Sequence, residues 1–248
     1  MQKSDALDLS RFKALCFDCY GTLIDWETGM ADAVRPWLKE ENSAVTPGLV
    51  LTAFAFMKWR HEQPRPTILF TELMRRSWID LEGVFEFEPK PERAAALANS
   101  IGDWPPFADS VESLKYLARF YALGIVSNID NASIEKSKRK LEAPFAVTVT
   151  AEDVDSYKPH LAHFEEMFRR FETLGIHRNE ILHVAQSRYH DIAPANLLKM
   201  PCVWVNRRHG KPGTGATIAS DAVPNLAVTS LAEFVAVHRA QQPRAAAG

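Results

Sequence analysis

The sequence predicts an α/β protein, a doubly wound parallel sheet with a helical insertion after its first strand. Three observations predict it. Five short apolar runs, at residues 14–17, 123–126, 146–150, 181–185 and 202–205, are continuous rather than alternating, as strands are when helices cover both faces of a sheet. Amphipathic helical patterns accompany them, and strands alternating with helices build right-handed βαβ units. More than a hundred residues separate Asp18, after the first run, from Ser127, after the second, far more than a crossover needs.

The first strand, Ala-Leu-Cys-Phe, runs straight into Asp18. The long interval that follows carries helical patterns at 30–40, 49–61, 69–81 and 93–101, punctuated by prolines at 64/66, 89/91 and 105/106. The insertion is therefore expected over 25–105. A helix at 111–120 then places Val111, Leu114, Leu117 and Ala118 on one face, and one at 161–171 aligns Leu161, Phe164, Met167, Phe168 and Phe171. No internal repeat is present, and the tail after Gln241 is expected to fray.

The chain has 248 residues, 46% hydrophobic and 24% charged, with a formal net charge of −2, an ordinary balance for a globular enzyme with a substantial core. That charge offers no electrostatic reason to expect nucleic acid or an anionic membrane, and no apolar run is long enough to span a bilayer. Residues 1–11 are polar and mixed in charge, unlike a secretory signal, so a cytoplasmic protein is expected. Cys16, Cys19 and Cys202 form no disulfide framework. Cys16 and Cys19 have redox-pair spacing, but a redox pair opens a helix whereas Cys16 lies inside a strand pattern, so buried thiols are expected.

The chemistry-bearing residues fall at strand ends, where open parallel sheets bind ligands. The first strand delivers Asp18-Cys19-Tyr20-Gly21-Thr22, the second Ser127-Asn128. The third precedes Ser156-Tyr157-Lys158-Pro159, and the fourth leads into Gln186-Ser187-Arg188-Tyr189-His190-Asp191. Taken singly, an Asp after a strand is often a helix cap, and a Ser-Asn pair a polar turn. Taken in order, the four segments resemble the motifs of the haloacid dehalogenase superfamily, and within it the 2-haloacid dehalogenases.

That resemblance implies a Rossmann-like core from residues 1–24 and 106–248 and a helical cap over 25–105. It implies Asp18 as nucleophile, attacking C2 of a small 2-haloalkanoic acid to form an ester that water hydrolyses to the 2-hydroxy acid. Phosphatases of the superfamily carry a second Asp where this chain has Tyr20, which points away from phosphate esters. Lys158 would hold Asp18 ionised, because a cation within about 4–6 Å lowers a carboxylate pKa. Thr22, Tyr20, Ser127 and Asn128 would orient nucleophile and substrate, and Asp191 with Lys158 would position the water. The Ser-Asn pair of the fourth motif is Ser187-Arg188 here, making Arg188 a candidate anion clamp.

Other departures concern the leaving group. The arginine common on the first long cap helix has no counterpart in 51–57, leaving Arg60 and Arg65 as further candidates. A family tyrosine is replaced by Phe164, and Trp204-Val205-Asn206-Arg207-Arg208 resembles the structural last strand. The expected partners are a small carboxylate substrate and water, with a homodimer as a further expectation. No cofactor or metal is expected, and the spacing of His183 and His190 suits no usual zinc pattern. The alternatives are ring opening of azetidine-2-carboxylate by the same attack, with Tyr20 or His190 as acid; a phosphatase; and a catalytically silent binding protein.

Overall fold

A computed structural model describes residues 7–63, 67–211 and 217–242. Strand β1 (Ala14–Phe17) is followed by four cap helices, α1 (Trp26–Glu40), α2 (Pro47–Glu62), α3 (Phe70–Val84) and α4 (Pro91–Ser100). The core resumes with α5 (Ser110–Leu117), β2 (Ala122–Ser127), α6 (Asn131–Leu141), β3 (Phe145–Thr150), α7 (Ala151–Val154) and α8 (Ala162–Glu172). It is completed by β4 (Ile181–Ala185), α9 (Ala193–Leu197), β5 (Cys202–Val205), β6 (Leu226–Val228) and α10 (Leu231–Gln241).

The strands form one parallel sheet in the order β3-β2-β1-β4-β5-β6. Register brings Phe17 level with Ile125 of β2 and Val184 of β4, so the carboxyl ends of the three central strands open onto one place. All four residues of β1 are buried, and their alternation splits the core into two layers. Leu15 and Phe17 join the layer containing Leu114, Leu117 and Phe234, while Ala14 and Cys16 join Phe164, Met167 and Phe171. Gly124 lets α8 approach the sheet, because a Cβ there would lie 2.7 Å from the Phe171 ring.

The two chain crossings between cap and core are tied together. Asp25 N–H donates to the Pro105 carbonyl at 2.8 Å, and Phe107 N–H to the Leu23 carbonyl at 3.0 Å. Asp25 also caps α1, accepting from Thr28 N–H, and Thr46 caps α2 ahead of Pro47 at its first turn. Trp37 of α1 packs edge-on against Trp78 of α3 at 5.0 Å, and buried Arg93 of α4 pairs with Glu40 and Glu41 at 2.6 and 2.7 Å.

Several elements differ from expectation. Helix α6 lacks an apolar stripe because much of its buried face is hydroxyl, Ser133 and Ser137 beside Ile134 and Leu141. Strand β6 is only three residues long, and α10 buries His238 alongside Leu231, Phe234 and Val235, so neither carries a strong period. The expected helix at 111–120 ends earlier, at Leu117. Arg65 and residues 243–248 of the tail lie outside the described residues. Among the described residues no helix is long and apolar enough to cross a membrane.

Candidate active site

Asp18 is the first residue past β1, its N–H donating to the Val184 carbonyl at 3.1 Å. The turn after it closes through Gly21, whose φ of +97° is left-handed and whose missing Cβ would crowd Trp26 and Gln186. That turn brings Thr22 back over the carboxylate. Thr22 Oγ1 donates to Asp18 Oδ2 at 2.7 Å and accepts from Gln186 N–H at 2.9 Å. Arg207 pins the same turn, donating to the Thr22 carbonyl at 2.8 and 3.0 Å while pairing with Asp109. This gives the arginine that follows β5 a direct hold on the loop that carries Asp18.

Lys158 arrives from the loop after α7, its side chain almost fully buried. Its Nζ donates to Asp18 Oδ1 at 2.9 Å, Asp191 Oδ1 at 2.6 Å and the Val126 carbonyl at 2.9 Å. Asn128 holds the lysine's backbone on both sides, accepting from Lys158 N–H at 2.6 Å and donating to its carbonyl at 3.1 Å. Asp191 is delivered by a wide helical turn over Arg188–Ile192, capped by Ser187, whose Oγ accepts from His190 N–H at 3.0 Å. One ammonium thus serves two buried carboxylates. Burial, helped by the Asp191 charge, pushes the Asp18 carboxyl up against the opposing pull of Lys158 and Thr22. Burial also raises Asp191, but Lys158 and a bond from His183 outweigh it and bring that group down to about 2.

These groups line the floor of a cavity of about 600 Å³, mouth included. Ser127, Asn128, Ser187 and His190 join Asp18, Lys158 and Asp191 there, under walls supplied by Tyr20, Trp26, Phe54, Phe70 and Trp104. The Tyr20 hydroxyl is engaged with Ser137 Oγ on α6 at 2.7 Å. Arg188 is not brought to this cavity. Its guanidinium stacks on the Trp204 ring at 4.5 Å and lines a separate cleft with Asn206 and Arg208. Arg60 is exposed and lies 3.7 Å from Asp80.

Among the described residues, the cap cation that reaches the cavity is Lys58 of α2, which the sequence reading missed. Val50, Phe54, Lys58 and Glu62 form one i, i+4 row, and the buried ends of that row identify its inward face. Residues 51–57 stop one position short of it. Lys58 Nζ pairs with Glu62 Oε1 at 2.8 Å, and Glu62 Oε2 lies 3.9 Å from His190 Nε2. Burial and the neighbouring Lys58 charge hold the His190 imidazole well below its usual range, leaving it neutral near pH 7. The three cysteines are buried and unpaired. Asp18 and Asp191 are already bonded to an ammonium, and no three His, Cys, Asp or Glu side chains converge among the described residues.

Residues 12–196 match the family model of a haloacid dehalogenase-like hydrolase. The chain belongs to that family. A search of curated proteins by sequence found no match. Among solved structures it is similar to a defluorinating L-2-haloacid dehalogenase, with TM-score 0.73 and 22% identity over 92% of this chain and 95% of that one. It is also similar to the L-2-haloacid dehalogenase of Xanthobacter autotrophicus with chloropropionic acid covalently bound, with TM-score 0.75 and 18% identity over 92% and 98%. A magnesium-bound HAD hydrolase from Bacillus subtilis, YfnB, matches with TM-score 0.74 and 17% identity over 92% and 99%. At these identities the likeness is one of fold, and structures of this fold include one with magnesium bound and one with chloropropionic acid covalently bound.

Proposed function

We propose that this family member is a 2-haloacid dehalogenase acting through an ester on Asp18. The observation that carries the reading is the nucleophile's setting. Asp18 lies beside a buried ammonium under an aromatic roof, with no carboxylic acid two residues on to protonate an alkoxide. Asp18 attacks C2 of the bound acid and halide departs, forming the ester. Splitting the displacement into two steps replaces one difficult substitution by water with two easier ones. Thr22 and Lys158 each hold one carboxylate oxygen and so aim the other lone pairs into the cavity. Lys58 supplies positive charge from the cap for the departing halide, and the water is taken up at Asp191.

The test is halide release from (S)-2-chloropropionate and from fluoroacetate, beside ring opening of azetidine-2-carboxylate. A single turnover in ¹⁸O-water should place the label in Asp18, since water attacks the ester carbonyl, and Asp18→Asn should abolish release. Label going directly into product would sink the ester. Turnover should survive exhaustive chelation. Chelator-sensitive hydrolysis of 4-nitrophenyl phosphate would favour a phosphatase instead.

A further inference from the structure

His183 has no part in the chemistry described so far, yet it sits one layer beneath it. It is the middle residue of β4, paired in register with Cys16 of β1 and Cys202 of β5, and it is fully buried. Its neighbours on the strand are apolar, so an imidazole here is a polar group placed where a hydrocarbon side chain would pack. Its Nε2 lies 3.0 Å from Asp191 Oδ1, and its ring stands edge-on to Phe164 at 5.2 Å. A bond to a carboxylate oxygen needs a hydrogen on the imidazole, so Nε2 carries it.

The two donors converge on the same oxygen. Lys158 Nζ at 2.6 Å and His183 Nε2 at 3.0 Å both bond Asp191 Oδ1, while Oδ2 is buried with no hydrogen-bond partner. A buried carboxylate oxygen without a donor is costly and calls for an explanation. Asp191 borders the cavity, and Oδ2 is the carboxylate oxygen that neither donor occupies.

We propose that His183 is a positioning residue for ester hydrolysis: it locks the Asp191 carboxylate so that Oδ2 alone is left free to accept the proton of the attacking water. The inference rests on the aspartyl-ester reading above. In that step water oxygen bonds to the Asp18 acyl carbon and its proton passes to Asp191 Oδ2. The acyl carbon–oxygen bond then breaks toward the product alkoxide, which takes the proton back from Asp191. Without His183 the carboxylate is held only through Lys158, which also binds Asp18, and it can turn either oxygen to the ammonium. Ester formation uses neither oxygen of Asp191 and is expected to be unaffected.

The experiment is single-turnover kinetics with (S)-2-chloropropionate on His183→Phe and His183→Gln, following the Asp18 adduct by mass spectrometry. His183→Phe keeps the ring against Phe164 and removes the donor; His183→Gln keeps an N–H donor. A positioned base contributes about 10²–10⁴-fold, so hydrolysis in His183→Phe is expected to slow about 10- to 100-fold. Ester formation should stay within about twofold, so that the adduct accumulates, and His183→Gln should recover most of the rate. Equal loss in both steps, or unchanged hydrolysis in a folded His183→Phe, overturns the proposal. Nitrogen-15 NMR of the wild type gives a check that needs no variant, since a His183 hydrogen on Nδ1 instead of Nε2 also overturns it. A wild-type enzyme that turns over with no Asp18 adduct and no label in Asp18 refutes the ester reading itself, which is a separate outcome.

Discussion

Replacing Lys158 with Met removes the ammonium while roughly conserving its volume. In the native protein that ammonium bonds two carboxylates at 2.9 and 2.6 Å and one carbonyl at 2.9 Å. Breaking a buried ion pair from one side costs about 3–5 kcal/mol, because the partner charge is left uncompensated. For a chain of this size that lowers Tm by roughly 6–20 °C. The orphaned carboxylates limit the loss by taking up protons, so the penalty must depend on pH. In the wild type Asp191, at about 2, is ionised in both native and unfolded states between pH 5 and 7. Its stabilising contribution is present above the unfolded carboxylate range and is lost only as pH falls toward 2. In Lys158→Met the folded carboxyl is raised instead, so the native state binds a proton that the unfolded state has released. Its stability then falls as pH rises, by about 1.4 kcal/mol per unit per proton. Urea melts should show the penalty about 2.7 kcal/mol smaller at pH 5 than at pH 7 for each carboxylate protonated throughout. Ester formation at neutral pH should fall at least about a thousandfold, since a protonated carboxyl is not a nucleophile. A destabilisation that is the same at both pH values would refute the shared-ammonium account.

Asp18→Asn should abolish turnover yet raise Tm by a few degrees. Burial holds the Asp18 carboxyl above its usual range, so its ionised form destabilises the fold near pH 7, and thermal melts at that pH check the sign. Lys58→Met combined with Glu62→Gln removes the cap ion pair without orphaning a buried carboxylate. It should lower kcat/KM for (S)-2-chloropropionate about 10- to 100-fold, and unchanged kinetics would remove Lys58 from the leaving-group side. Gly29→Ala should destabilise by about 1–3 kcal/mol despite alanine's better helix propensity, because its Cβ would lie 2.3 Å from the Trp104 ring. Since Trp104 also lines the cavity, kcat/KM should fall together with Tm.

Local physics explains what the sequence alone determined. Strands β1, β4 and β5 have the expected bounds, 14–17, 181–185 and 202–205, because a strand covered on both faces is apolar along most of its length, His183 of β4 being the exception. The helical insertion was legible from its length and its prolines, and Asp18, Ser127, Lys158 and Asp191 from their place after strands. The same reasoning could not see α6, whose buried serines read as polar surface, or β6, which is too short to show a period. Only the tertiary structure decided which cations meet the cavity. Lys58 enters it, Arg188 is drawn off onto Trp204, and the Tyr20 hydroxyl is tied to Ser137. It also put His183 under Asp191 and one ammonium between two carboxylates, where burial still raises Asp18 while Lys158 and His183 lower Asp191. Such assignments depend on where long flexible side chains end and on which charges share a low-dielectric space. Both are set by contacts between segments far apart in the chain, which no local pattern encodes.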